Sequence, residues 1–166
     1  MTNLEKLKEY HRKTGATHYY SSQSVLPLLE KIYAKKRPQD EVILSKAHAI
    51  TAQLLIENRL PEEKPVPEVY CSLGTAFPFV LGKAFMNPHI FYYLVMGDGE
   101  WQEGSNWEAF HLMERLMIRN VIIYVDHNRK QAMGDLILQA PGLVRLHKGN
   151  KGPHWTYHYK GLDDDS

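Results

Sequence analysis

The stretch HIFYYLVMGDGEWQEGSNWEAFHLMERLMIRNVIIYVDHN, residues 89–128, decides the fold. It opens on an apolar, aromatic and β-branched run, as a buried strand does. It then passes through Gly97-Asp98-Gly99-Glu100 into SNWEAFHLMERLMI, which has helical spacing, and ends on a second apolar run, VIIYVD. Strand, turn, helix and strand in that order predict an α/β fold with a parallel sheet. VIIYVD is almost wholly apolar, so it is expected to be buried on both faces.

The flanking sequence extends the same alternation. Residues 3–13 read as a short helix with Leu4 and Leu7 on one face. In THYYSSQSVLPLLEKIYAKK the Ser and Thr residues are candidate N-caps, and Val25, Leu28, Leu29, Ile32 and Tyr33 have helical spacing. Pro27 is placed in the first turn of that helix, where a missing N–H is tolerated. EVILS (41–45) reads as a strand, HAITAQLLIENRL as a helix, and PEEKPVPEVYC, with three prolines, as a connector. LGTAFPFVLGKAFM reads as a buried helix broken or opened at Pro78. The whole is one domain over 1–166, and 135–166 forms a short irregular C-terminal segment.

Bulk composition narrows the function classes. There are 20 basic and 19 acidic side chains, a formal net charge of +1, which gives no electrostatic case for nucleic acid or an anionic membrane. Cys71 is the only cysteine, so neither an intrachain disulfide nor a cysteine zinc site is possible. The charged start, MTNLEKLKEYHRK, lacks the apolar core of a signal peptide, and a cytoplasmic location is the expectation.

Ligands of parallel sheets bind beyond the carboxyl ends of the strands. Two such ends carry chemistry, VMGDGE and YVDHNRK. Gly97 and Gly99 permit a sharp turn and close approach of a ligand, and Asp98 supplies a carboxylate between them. Asn128 follows Asp98 by thirty residues. On neighbouring strands their oxygens converge, as a hard cation such as Mg2+ with phosphate oxygens requires. The residues therefore read as a metal-bridged diphosphate site. Each also has a plain structural reading: Asp98 as a helix N-cap, Asn128 as a turn residue, Glu103 as a solvated carboxylate at a helix start. Trp101 and Trp107 read as packing or interface residues. His11, His89, His111, His147, His154 and His158 show no metal spacing.

Four blocks in order resemble the transketolase family. They are the His18-containing THYYSSQSVLPLLEKIY, LSKAHA, SLGTAFPFVLGKAF, and GDGE–QEG–WEA followed by VDHN. The resemblance implies a doubly wound parallel sheet with helices on both faces, the diphosphate-binding type of thiamine diphosphate domain. It implies thiamine diphosphate and Mg2+, or Ca2+ in its place, as cofactors. Asp98 and Asn128 would ligate the metal by side chain and Lys130 by its carbonyl. Gly97 and Gly99 would lie against the diphosphate, and Leu73 and Gly74 beside the aminopyrimidine. His48 and His18 would face the diphosphate and the substrate, and Glu103 would sit at a subunit interface near the activating carboxylate.

In that family the activating glutamate lies in a separate pyrimidine-binding domain. The expectation is thus a split enzyme, one subunit of a heterotetramer that moves a two-carbon ketol unit between sugars or sugar phosphates. The same cofactor could serve a 2-oxo acid decarboxylase or acyl-transfer subunit, and a non-catalytic scaffold is the third reading. Two departures stand out. Ala47 replaces the family's glycine in LSKAHA, and ENRLPEEKPVPEVYC contains no histidine where relatives carry a Gly-His-Pro segment.

Overall fold

The computed structural model describes residues 1–45, 47–63 and 73–127 in full, together with the backbone of 130–131, 134–135 and 145–148. Three parallel strands form the centre: β1 (Glu41–Leu44), β2 (Tyr92–Gly97) and β3 (Val121–His127). Two short strands follow, β4 (Lys130–Gln131) and β5 (Gly134–Asp135), paired antiparallel with each other. β6 (Arg145–Lys148) adds to β3 in parallel, giving the order β1-β2-β3-β6. The segment from 135 onward, read as irregular from sequence, thus contributes a strand. Its remaining residues and most of PEEKPVPEVYC lie outside the described part.

Helices cover both faces of the sheet because the strands alternate. Ile43, Tyr92, Leu94, Met96, Ile123 and Val125 point to one side, where α4 (Ala76–Met86) and α5 (Gly104–Arg115) supply Phe77, Val80, Leu81, Phe110 and Met113. Leu44 and Val95 point to the other, against Leu7 of α1 (Asn3–Thr14), Val25, Leu28 and Leu29 of α2 (Tyr19–Tyr33), and Ala52 and Leu55 of α3 (Ile50–Ile56). β3 is not buried on both faces as its composition suggested. Ile123 and Val125 are buried, whereas Val121, Ile122 and Tyr124 keep partial exposure. Apolar composition records what a residue tolerates; Val42 of β1 and Tyr93 of β2, on the α1–α3 side, are likewise only partly buried.

Two helix starts depart from the sequence reading. α2 begins at Tyr19, so Pro27 lies in its interior rather than in its first turn. The serines are not caps: Ser21, Ser22 and Ser24 are buried positions on the helix, small enough for α2 to approach its neighbours closely. Ser22 Oγ sits 2.6 Å from Thr51 Oγ1 on α3. The cap is His18, in the left-handed conformation at φ 64°. α4 is not broken at Pro78; it starts two residues earlier, so Pro78 falls in the first turn, where its missing N–H has no helical partner to lose.

α1 carries a capping box at Thr2 and Glu5, and its other end is fixed from inside. His11 Nδ1 donates to the Ala16 carbonyl at 2.7 Å, and Nε2 lies 3.0 Å from Thr51 Oγ1. This histidine is a buried structural group. Among the described residues no helix is long and apolar enough to cross a membrane.

Candidate functional site

β2 and β3 are neighbours in register, with Gly97 beside Asp126. Asp98 therefore leaves the sheet at the same end as His127. Its carboxylate is buried, at 4 % exposure, and Oδ2 lies 3.6 Å from His127 Nδ1. A carboxylate so far out of water needs partners or a cation to offset its desolvation. Asn128 lies outside the described residues, and so does the side chain of Lys130. Among the described residues no three His, Cys, Asp or Glu side chains converge on one point. A hard cation held at Asp98 would need further oxygen donors, of the kind that an asparagine amide, a main-chain carbonyl and anionic phosphate provide.

The turn around Asp98 is held by Glu100, which sequence reasoning left without a role. Glu100 is 4 % exposed. Its Oε2 accepts from the Gly97 N–H at 2.9 Å, and its Oε1 accepts a short hydrogen bond from the Ser45 hydroxyl at the end of β1. Its main-chain carbonyl accepts from Asn106 Nδ2 on α5 at 2.6 Å. One residue thus joins the ends of β1 and β2 to the start of α5. Asp126, fully buried, is the second group the sequence reading passed over; Ser24 Oγ donates to it at 3.0 Å, which draws α2 over the end of β3.

Histidines 18 and 48 come from different elements and meet. His18 caps α2, and His48 lies in a short 3-10 turn (Ala47–Ala49) that follows β1. Their ring centroids are 5.3 Å apart. Both are half-buried, so a ligand could reach them.

Leu73 and Gly74 sit against the start of α5. Gly74 has φ 79°, and a Cβ there would come within 2.7 Å of Glu103 Cβ and collide with Ser105 Oγ. Ser105 Oγ donates to the Gly74 carbonyl at 2.8 Å. Only glycine satisfies both the backbone angle and the contact. Leu73 is 59 % exposed beside it. Glu103 occupies the N-cap position of α5 without a side-chain capping bond and is half-buried. Trp101 is a core residue, stacked near Phe77 and packed on Trp107.

A cavity of about 280 Å3 opens beside β1 between Gln53, Glu57 and Arg59. None of the candidate side chains lines it, and its polar groups are tied to one another: Glu57 to Arg59 at 3.0 Å and to Gln53 at 3.0 Å. Of the described candidates, Gly97, Asp98 and Gly99 lie at the carboxyl end of β2 and His48 follows β1. No protein-family model matches the chain, and no curated protein matches it significantly.

Proposed function

We propose that this chain is the diphosphate-binding subunit of a two-component, transketolase-like enzyme that depends on thiamine diphosphate and Mg2+. The sheet would be the doubly wound, thiamine diphosphate-binding type, and a separate polypeptide would carry the pyrimidine-binding domain, with two copies of each. The observation that carries the reading is Asp98, a buried carboxylate between two glycines at the carboxyl end of a central parallel strand.

In this reading Asp98, Asn128 and the Lys130 carbonyl hold the cation, and the main chain at Gly97 and Gly99 approaches the diphosphate. Leu73 and Gly74 form an apolar wall for the pyrimidine ring. When bound, the cofactor supplies the carbon nucleophile that takes up the two-carbon unit. His18 and His48, at 5.3 Å, grip substrate oxygens and exchange a proton with them. Glu100 keeps the Gly97–Gly99 turn in place, so Asp98 is set before any ligand arrives.

Calorimetric titration of the chain with thiamine diphosphate, with and without Mg2+, and with and without a candidate partner polypeptide, tests this. Binding should require Mg2+ and disappear in Asp98→Ala. Absence of binding under all four conditions refutes the reading. A donor screen of ketose phosphates against pyruvate then separates ketol transfer from 2-oxo acid chemistry.

A further inference from the structure

Three buried polar side chains, one from each of α1, α2 and α3, form a single chain of hydrogen bonds: His11, Ser22 and Thr51. His11 Nε2 lies 3.0 Å from Thr51 Oγ1, and Thr51 Oγ1 lies 2.6 Å from Ser22 Oγ. At the other end His11 Nδ1 bonds the Ala16 carbonyl at 2.7 Å. A carbonyl only accepts, so Nδ1 carries the proton, and in the neutral ring Nε2 must then accept. The Thr51 hydroxyl therefore donates to His11, and the Ser22 hydroxyl donates to Thr51. Each member also holds the chain beside one of the two site histidines. Ala16 lies two residues before His18, and Tyr19, directly after it, packs edge-on against the His11 ring with centroids 5.4 Å apart. The Ser22 N–H donates to the His18 carbonyl at 3.1 Å. Thr51 follows His48 by three residues, in the first turn of α3.

We propose that Thr51 is the positioning residue of the His18–His48 pair. Its one hydroxyl, shared between His11 and Ser22, fixes the start of α2 against the start of α3. It thereby sets the gap between the two rings, whose centroids stand 5.3 Å apart. His18 needs such support, because it holds φ 64°, a left-handed conformation uncommon for any residue with a Cβ. Hydrogen bonds weaken steeply when stretched or bent, so three in series define this distance more sharply than apolar packing does. Thr51 is buried and acts only through the two histidines. The consequence for a substrate rests on His18 and His48 gripping substrate oxygens, as proposed above; the gap itself does not.

NMR of the full chain tests this without any cofactor. At about pH 8, where an ordinary histidine is neutral, long-range 1H–15N spectra should show His11 with its proton on Nδ1. A nuclear Overhauser cross-peak should join the ring protons of His18 and His48. Thr51→Val keeps the side-chain shape but removes the hydroxyl; the cross-peak should be lost while circular dichroism shows the chain still folded. Thr51→Ser restores the hydroxyl and should restore the cross-peak. If Thr51→Val does not fold, Ser22→Ala, which cuts the chain at its far end, takes its place and should weaken the cross-peak. A proton on His11 Nε2, a wild-type chain without the cross-peak, a cross-peak unchanged in the hydroxyl-free variant, or no recovery in Thr51→Ser overturns the proposal. With a partner polypeptide that confers activity, Thr51→Val should lower kcat/KM for a ketose phosphate on the order of tenfold to a hundredfold, with thiamine diphosphate affinity unchanged. A chain that binds no thiamine diphosphate refutes the function proposed above, and the spectra still decide the role of Thr51.

Discussion

Glu100 is the residue whose removal tests the architecture of the site most directly. In Glu100→Ala the Gly97 N–H and the Ser45 hydroxyl both lose a buried acceptor. Each such loss costs about 1–3 kcal/mol. Truncation at a position only 4 % exposed also leaves a void, worth about 1 kcal/mol more for a few heavy atoms. Removing a buried negative charge beside Asp98 recovers part of this, leaving a net loss of about 3 kcal/mol. For a chain of this size that lowers Tm by roughly 6–12 °C. Glu100→Gln behaves differently: its oxygen accepts from Gly97 while its amide donates to Ser45 Oγ, so the cost is about 1 kcal/mol or less. Urea unfolding followed by circular dichroism and by tryptophan fluorescence measures both. Glu100→Ala within about 0.5 kcal/mol of wild type, below the cost of even one lost acceptor, or Glu100→Gln as damaging as alanine, refutes the reasoning.

Three further outcomes follow from the geometry. Gly74→Ala should destabilise by about 2 kcal/mol, because it combines a positive φ with a collision against Ser105, and thermal melting reads this directly. Pro27→Ala should stabilise by about 1 kcal/mol, since position 27 is exposed in the interior of α2 and alanine restores an N–H to the helix ladder; an unchanged urea midpoint contradicts it. Asp40 is held down to about 2, chiefly by Arg37, with burial opposing and the Phe91 N–H assisting. Its folded value lies below the unfolded one, so its contribution is complete above about pH 4 and fades as pH falls towards 2. Discounted for the half-exposed Arg37, it amounts to about 1–2 kcal/mol, and Asp40→Asn should flatten the stability profile across that window.

The sheet was legible in the sequence because β1, β2 and β3 are short apolar runs bounded by breakers, and α5 because its apolar period is regular. Pro27 was misread because sequence rules place proline in a first turn and serine at a cap. Burial of Ser21, Ser22 and Ser24 against α3 and β3 is a tertiary matter that no local rule contains. β6 has only four residues, Arg145–Lys148, and depends on β3 for its pairing. Within the site, glycines on either side of an acid announce Asp98, and the chain order of the two strands announces their shared end. The approach of His18 to His48 was not legible in the sequence, because it joins the start of α2 to the turn after β1, thirty positions apart. The sequence assigns no role to Glu100. Its meaning depends on Ser45, fifty-five positions earlier.

The division of the apolar interior by the sheet has a consequence for how the molecule opens. Leu94 and Met96 are anchored on one side and Val95 on the other, all fully buried. No partial opening can free the middle of β2 without dissolving both layers. Its amide protons should be the last to exchange with deuterated solvent, at the free energy of global unfolding. α1, moored chiefly by Leu7 and His11, can detach far more cheaply, and its protons should be traded early.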